Sequence, residues 1–233
     1  PKKLRIDIST LGKILRIGLP AGVQSAVFSV SNIVIQSAIN SLGKVVMAAS
    51  SAAFNIEIFA YDVMNSFSQA CTTFVGQNYG AGQLKRCRKT LFLCLIEDAV
   101  ATAAAIGIVL LSGRFLLSIF NNDPAVIDLG YVRLVTIFFA YIFSMLYEVM
   151  SGYLRGFGIS LTPAILTTLG VCGVRIVWIA AVFPKSRTFE TIMTAYPVSL
   201  SLTAVLIFIA LLIAHPSRRY ASKFVTQKAT DNN

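Results

Sequence analysis

Six apolar runs, each 21 to 31 residues long, dominate this sequence and leave little room between them. An α-helix rises about 1.5 Å per residue, so about 20 apolar residues cross the roughly 30 Å hydrocarbon core of a membrane. Only 13% of the residues are charged, against roughly 25% in soluble domains. The runs therefore predict an all-α polytopic membrane protein with six transmembrane helices. The predicted parts are a cytoplasmic amphipathic lead-in (1–13), a transmembrane unit (14–214) with spans at about 14–40, 45–75, 91–111, 129–153, 161–183 and 188–214, and a basic cytoplasmic tail (215–233).

The basic residues are concentrated at alternate ends of these spans. Short cytoplasmic loops are enriched in Lys and Arg, and fourteen of the twenty basic residues lie near the N-terminus, in the loop after the second span, at Arg155 and in the tail. We therefore expect both termini in the cytoplasm. The net charge of +10 reflects this orientation rather than nucleic-acid binding, and we expect membrane lipids as partners. Five lie on the other side, and Arg175 lies inside a span; the five are Lys44, Arg114, Arg133, Lys185 and Arg187.

The second span carries a stripe of polar side chains. Glu57, Tyr61, Asn65, Ser68 and Thr72 recur at helical spacing, so they share one face. A carboxylate inside a membrane is costly, and it is tolerated mainly where it faces a bundle interior or a wet cavity. The stripe therefore predicts an ion or substrate pathway. The alternative is a row of interhelical hydrogen bonds.

Two other spans carry similar stripes, and the fifth span carries a charge. Glu148, on the stripe of the fourth span, is the second candidate acid, and Arg175 in the fifth span is expected to pair with an acid. The candidate pathway residues are Glu57, Tyr61, Asn65, Ser68, Gln24, Asn32, Gln36, Tyr141, Ser144, Glu148 and Arg175.

Prolines and glycines suggest where the spans bend or end. Pro20 is expected to kink or unwind the first span, and Pro197 to interrupt the sixth, which makes both candidate hinges. The glycine-rich GQNYGAG is expected to end the second helix, with the basic LKRCRK in the loop that follows. Residues 114–128 are expected to form a loop, and Asp123 with Pro124 suits the start of the fourth helix.

The sequence carries little that suggests catalysis. The four cysteines have no CxxC spacing and no nearby histidine, so they predict packing rather than a zinc site or a disulfide framework; they are Cys71, Cys87, Cys94 and Cys172. Neither an HExxH pair nor a GxSxG elbow occurs. We expect no enzyme, no metal and no cofactor. The first residues contain neither Met nor a cleavage pattern, so we expect a piece of a longer protein.

Five motifs in order resemble those of the multidrug and toxic compound extrusion (MATE) transporters: IGLPAGVQ, FVGQNYGAG, SGYLRGFG, GVRIVWI and YPVS. The resemblance covers nearly the whole chain and is to the C-terminal lobe of a transporter built from two six-helix lobes. It implies one lobe of a secondary antiporter that exports cationic or amphipathic organic compounds in exchange for sodium ions or protons. It also implies an N-terminal lobe as partner, small organic substrates, and the plasma membrane, which in a bacterium is the inner membrane.

The sequence departs from the family at two positions. Sodium-coupled members resemble this chain but carry acids where Phe28 and Ser144 stand. The acids available instead are Glu57 and Glu148, and a neutral Gln at either is expected to break coupling.

Two alternative functions stay open. One is a flippase of the same superfamily for lipids or lipid-linked oligosaccharides, which would need a more cationic cleft. The central stripes are acidic and amide-rich, and Arg175 is the only base expected near the middle of a span, so the stripes favour cationic or neutral cargo. The other is a membrane module or half-protein that does not transport.

Overall fold

A computed structural model describes residues 7–216, and within them every regular element is helical. The long helices are α1 (Ile8–Asn40), α2 (Lys44–Gly80), α3 (Leu84–Ser118), α4 (Pro124–Gly156) and α7 (Phe189–Ala214). Between α4 and α7 lie α5 (Leu161–Thr167) and α6 (Val174–Ala181), joined end to end by a π-helical turn, Thr168–Gly173. A 3-10 turn, Phe183–Lys185, follows α6. The predicted start of the lead-in and most of the predicted tail lie outside the described residues.

Five stretches of the described chain are long and apolar enough to cross a membrane: Gly22–Asn40, Leu84–Ser118, Pro124–Gly156, Leu161–Lys185 and Phe189–Ala214. The helix α2 is not among them because its polar stripe lowers its mean hydropathy. It is nevertheless 37 residues long and packs among these spans, against α3 and α4. The predicted all-α, polytopic fold is thus confirmed.

The centre of the bundle is the pair α2 and α4, which lie side by side over most of their length. On its other sides α4 packs against α3 and α7, and it holds the largest share of buried residues. Leu134, Val149 and Leu154 of α4 are fully buried. Burial of these apolar side chains fixes α4 as the scaffold from which the polar residues of the site project.

Glycine allows α2 and α4 to approach closely. A Cβ atom added at Gly152 would overlap the backbone oxygen of Ser68 and lie 2.9 Å from its hydroxyl oxygen. One turn later, a Cβ atom at Gly156 would lie 2.6 Å from the Cβ atom of Val75. Small residues four apart are the usual means by which membrane helices bring their backbones together.

The helices are longer than the predicted spans. We had expected α2 to end at the glycine-rich segment, but the helix continues through that segment to Gly80. The turn that follows is made by Gly82, which has a φ of 71°. The basic cluster Lys85–Lys89 was predicted to lie in a loop but lies in the first turns of α3, and α3 itself extends to Ser118. Helices of 33 to 37 residues span about 50 Å, so they tilt or project beyond the hydrocarbon core.

The predicted unwinding at position 20 and the predicted interruption at Pro197 are not observed, whereas the predicted kink at position 20 stays a prediction. The helix α1 is continuous across position 20, and α7 is continuous across Pro197. A hinge at either position therefore stays a prediction.

Two local predictions are confirmed. The carboxylate of Asp123 caps α4 by accepting a hydrogen bond from the backbone N–H of Ala125 at 2.9 Å, with Pro124 in the first turn. All four cysteines are buried free thiols.

Candidate transport site

The three polar stripes meet at one cavity of about 540 Å³. It lies between α1, α2, α4, α7 and the rod formed by α5, the π-helical turn and α6. Nine of the eleven candidate pathway residues line it: Gln24, Asn32, Glu57, Tyr61, Asn65, Tyr141, Ser144, Glu148 and Arg175. We call this space the inner cavity.

Glu57 does not face the inner cavity as a free acid, because Arg133 neutralises it. The guanidinium donates from Nε to one carboxylate oxygen at 2.7 Å and from Nη2 to the other at 2.8 Å. Both side chains are almost fully buried, at 4% exposure for Arg133 and 5% for Glu57. We had placed Arg133 on the outer side of the membrane, and that assignment is wrong.

The stripe of α4 contained a signal that would have located Arg133. Counting back from Glu148 and Tyr141 in helical steps reaches Ile137 and then Arg133, so all four share one face. With Arg133 removed from the outer side, fourteen basic residues oppose four, so the predicted orientation keeps its basis.

Two arginines lie over the ring of Tyr196. The guanidinium carbon of Arg175 lies 4.2 Å from the ring centroid and that of Arg133 lies 5.6 Å away. Arg175 also donates from Nε to the hydroxyl of Ser199 at 3.1 Å. Among the described residues it forms no ion pair, so the predicted acid partner is absent and an aromatic ring takes its place.

Glu148 is held in a looser arrangement than Glu57. The hydroxyl of Tyr61 donates to its Oε1 atom at 3.3 Å, and Nη2 of Arg155 lies 3.7 Å from Oε2. The side chain of Glu148 is 13% exposed. A long ion pair in partial contact with water is more easily exchanged for another cation than the bidentate pair at Glu57.

Two candidate residues have structural roles instead. Ser68 is fully buried, donates to the backbone oxygen of Glu148 at 2.7 Å and accepts from Arg155 at 2.9 Å. It therefore orients the groups around Glu148 without lining the cavity. Gln36 faces a second, separate cavity and donates to Asn40 at 2.9 Å.

The remaining polar residues connect the helices around the inner cavity. Gln24 donates from α1 to the hydroxyl of Thr167 at 2.6 Å. Tyr141 donates to the backbone oxygen of Glu57 at 3.4 Å. The interhelical hydrogen bonds that we had kept as an alternative reading of the stripes thus coexist with the cavity.

The charges that line the inner cavity balance. Three carboxylates, of Glu57, Asp62 and Glu148, oppose three guanidinium groups, of Arg133, Arg155 and Arg175. Arg175, which we had expected to be the only base near the middle of a span, therefore shares the cavity with two other arginines. The site is zwitterionic, with Glu57 fully compensated and Glu148 only partly so.

A bundle of membrane-length helices around a polar cavity that contains charged side chains is typical of transporters. The MatE family model matches residues 20–180, which is more than half of the chain. The chain belongs to this family, the MATE family of multidrug efflux transporters. The resemblance seen in the motifs is thus confirmed, and the family is one of transporters rather than enzymes.

Sequence relatives carry matching names. The multidrug resistance protein PmpM of Pseudomonas aeruginosa is 30% identical over 178 residues, which covers 72% of this chain and 35% of the relative. The probable multidrug resistance protein NorM of Thermotoga maritima is 26% identical over 168 residues, which covers 72% of this chain and 36% of the relative. The matched part of the chain thus spans about a third of the length of these relatives.

The fold also matches solved structures. A crystal structure described as MATE in the bent conformation superposes with a TM-score of 0.79 at 16% identity, which covers 98% of this chain and 49% of that chain. The likeness shows a fold that is one lobe of a two-lobed transporter.

Proposed function

We propose that this chain forms one half of a secondary antiporter that exports cationic or amphipathic organic compounds in exchange for sodium ions or protons. The observation that carries the proposal is the state of Glu148. It is an acid inside a membrane lobe, lines a cavity large enough for a small organic ion, and is held by a long ion pair to Arg155 and a hydrogen bond from Tyr61. The names of the relatives, which are multidrug resistance proteins, support the same class of cargo.

Glu148 supplies the exchange. An inward-moving cation that reaches the carboxylate competes with Arg155 and with an organic cation for the same oxygens. Tyr61 and the other cavity hydroxyls replace part of the hydration that the ion loses. Because two species share one site, only one of them occupies it at a time, which is the condition for antiport.

Antiport also needs a second lobe. Alternating access arises when one lobe rocks against another around a fixed site. The partner we propose is an N-terminal six-helix lobe of the same transporter, with its own polar surface toward this cavity.

The test is ethidium uptake into everted membrane vesicles of a strain deprived of its own multidrug pumps, because an exporter pumps its cargo into such vesicles. The chain alone should move no ethidium when a sodium or proton gradient is imposed, and the chain expressed together with its N-terminal lobe should do so. Uptake that is independent of both gradients would refute antiport. Uptake by the chain alone would indicate that a second copy of this chain takes the place of the N-terminal lobe.

A second candidate function rests on Arg175. This guanidinium lines the cavity, forms no ion pair within the described chain and has an aromatic ring beside it, which suits an anionic group such as the phosphate of a lipid. A flippase would accelerate the movement of a fluorescent anionic lipid between leaflets in proteoliposomes and would not transport ethidium. Both assays, run on proteoliposomes of one preparation, therefore separate the two functions.

A further inference from the structure

A second cavity, of about 380 Å³, lies at the opposite end of the lobe from Glu148. It is lined by the later residues of α1, such as Gln36 and Ile39, and by the early residues of α2, such as Ser51 and Asn55. Because α1 and α2 run in opposite directions, these residues lie together near the connection between the two helices. On the predicted topology this end faces the outside, so we call the space the outer cavity.

Four residues line both cavities, and each comes from a different helix. They are Asn32 of α1, Phe54 of α2, Arg133 of α4 and Tyr196 of α7. Every other lining residue belongs to one cavity alone. The two spaces therefore adjoin each other, with these four side chains between them, and we call the four side chains the partition.

Arg133 holds the partition together. Its Nε and Nη2 atoms bond to Glu57, which lines only the inner cavity, while Nη1 donates at 3.3 Å to Ser50, which lines only the outer cavity. Its guanidinium also lies near the ring of Tyr196. The guanidinium is thus fixed from both sides, by residues of two helices, α2 and α7.

The partition is buried at Arg133 and exposed to the surroundings of the lobe at Asn32 and Phe54. Arg133 is 4% exposed, whereas Asn32 and Phe54 are exposed at the edge of the lobe. A charged group held by two carboxylate oxygens and a hydroxyl blocks a polar route while remaining able to swing if its partner is neutralised or occupied.

We propose that Arg133 and Tyr196 form a gate within the lobe, closed by the ion pair to Glu57, which controls passage of small hydrated cations between the outer cavity and Glu148. The inference rests on the proposed antiport and deepens it, because it gives the coupling ion a controlled route through this lobe from the outer cavity to Glu148. It also gives Glu57 a task distinct from that of Glu148: Glu57 positions the gate, and Glu148 binds the ion.

The experiment compares two reporter cysteines in the complete chain, expressed in intact cells. Asn55→Cys lies in the outer cavity only and Asn65→Cys in the inner cavity only. A membrane-impermeant cationic thiol reagent is added outside, and the remaining free thiol is counted with a mass-tagged maleimide. The chain without a reporter gives the background of the four native thiols, which are buried.

We expect Asn55→Cys to react at least tenfold faster than Asn65→Cys while the ion pair is intact. The neutral pair Glu57→Gln with Arg133→Gln should raise the rate at Asn65→Cys at least tenfold, as should Tyr196→Ala alone. The exchanged pair, Glu57→Arg with Arg133→Glu, should restore the slow rate, which a general loosening of the bundle would not do.

Equal rates at the two reporters with the ion pair intact would overturn the gate. So would an unchanged slow rate at Asn65→Cys in both opening variants at normal membrane abundance. If the neutral pair fails to accumulate, Tyr196→Ala decides, because it leaves the ion pair in place. Labelling measures no transport, so the gate can fail while the proposed antiport stands, and antiport can fail while the gate stands.

Discussion

Glu57 and Arg133 lie 76 residues apart in sequence and form a bidentate ion pair that joins α2 to α4 inside the lobe. Both groups have lost almost all contact with water, so each depends on the other for compensation of its charge. The pair therefore constrains the two central helices at the level of the inner cavity.

Removal of one member of this pair should destabilise the lobe. Glu57→Gln leaves a buried guanidinium without its counter-ion, a loss of about 3–5 kcal/mol for buried pairs. The apparent Tm can be measured by size-exclusion chromatography of the detergent-solubilised protein after heating. It should fall clearly for Glu57→Gln and less for Glu57→Gln combined with Arg133→Gln.

The matched control is the exposed pair Arg114 and Asp128, with a distance of 2.7 Å at 65% and 59% side-chain exposure. Asp128→Asn should shift the Tm little, because exposed pairs contribute about 0–1 kcal/mol. Equal Tm shifts at the buried and the exposed pair would contradict the energetic role given to Glu57.

Neutralising Glu148 should remove ion coupling. In the complete transporter, Glu148→Gln is expected to reduce gradient-driven efflux at least tenfold while keeping membrane abundance, since its ion pair is long and its loss leaves Arg155 bonded to Ser68. Uptake of ethidium into everted vesicles measures this activity. Glu190→Gln, at an exposed position in the first turn of α7, is the control and should be nearly silent. Wild-type ion dependence in Glu148→Gln would move the coupling site to the other lobe.

The close contact of α2 and α4 should tolerate no added methyl group. The Cβ atom in Gly152→Ala would meet the backbone and hydroxyl oxygens of Ser68 and the hydroxyl oxygen of Thr72, the last at 3.1 Å. Overpacking of this kind costs about 1–3 kcal/mol, so the Tm should fall. The same change at Gly107 of α3, where nothing lies within 4 Å, should be neutral or stabilising by up to about 1 kcal/mol. A lower Tm for Gly107→Ala than for Gly152→Ala would refute this account.

The orientation predicted from basic residues can be tested with single cysteines at two exposed turns. Gln83 precedes α3 beside the basic cluster, and Arg187 precedes α7 at the other end of the bundle. An impermeant thiol reagent added to intact cells should label Arg187→Cys and leave Gln83→Cys unlabelled until the cells are opened. The reverse pattern would invert the topology.

Sequence periodicity predicted the fold and most of the cavity, because helical stripes depend only on local spacing. Nine of eleven candidate residues line the inner cavity. What it missed is the pairing across helices. Arg133 was assigned to the outer side because it lies near the end of a span. Only the packing of α2 against α4 shows that Arg133 forms an ion pair with Glu57. Glycine was misread for a related reason: Gly76 looks like a helix breaker in sequence, but α2 continues through it, and it lies against α4, where a Cβ atom would be in ordinary contact with the backbone oxygen of Gly156 at 3.6 Å.

The π-helical turn Thr168–Gly173 determines the direction in which the side chains of α6, which follows it, project from the helix axis. One residue more than an α-helix needs is accommodated there, and each residue corresponds to about 100° of rotation around the axis. Deletion of a single residue within this turn would leave an unbroken α-helix of ordinary geometry but would rotate Arg175 by about 100°, away from Tyr196 and Ser199. The charge balance of the inner cavity therefore depends on the length of a segment that contributes only Val171 to its lining.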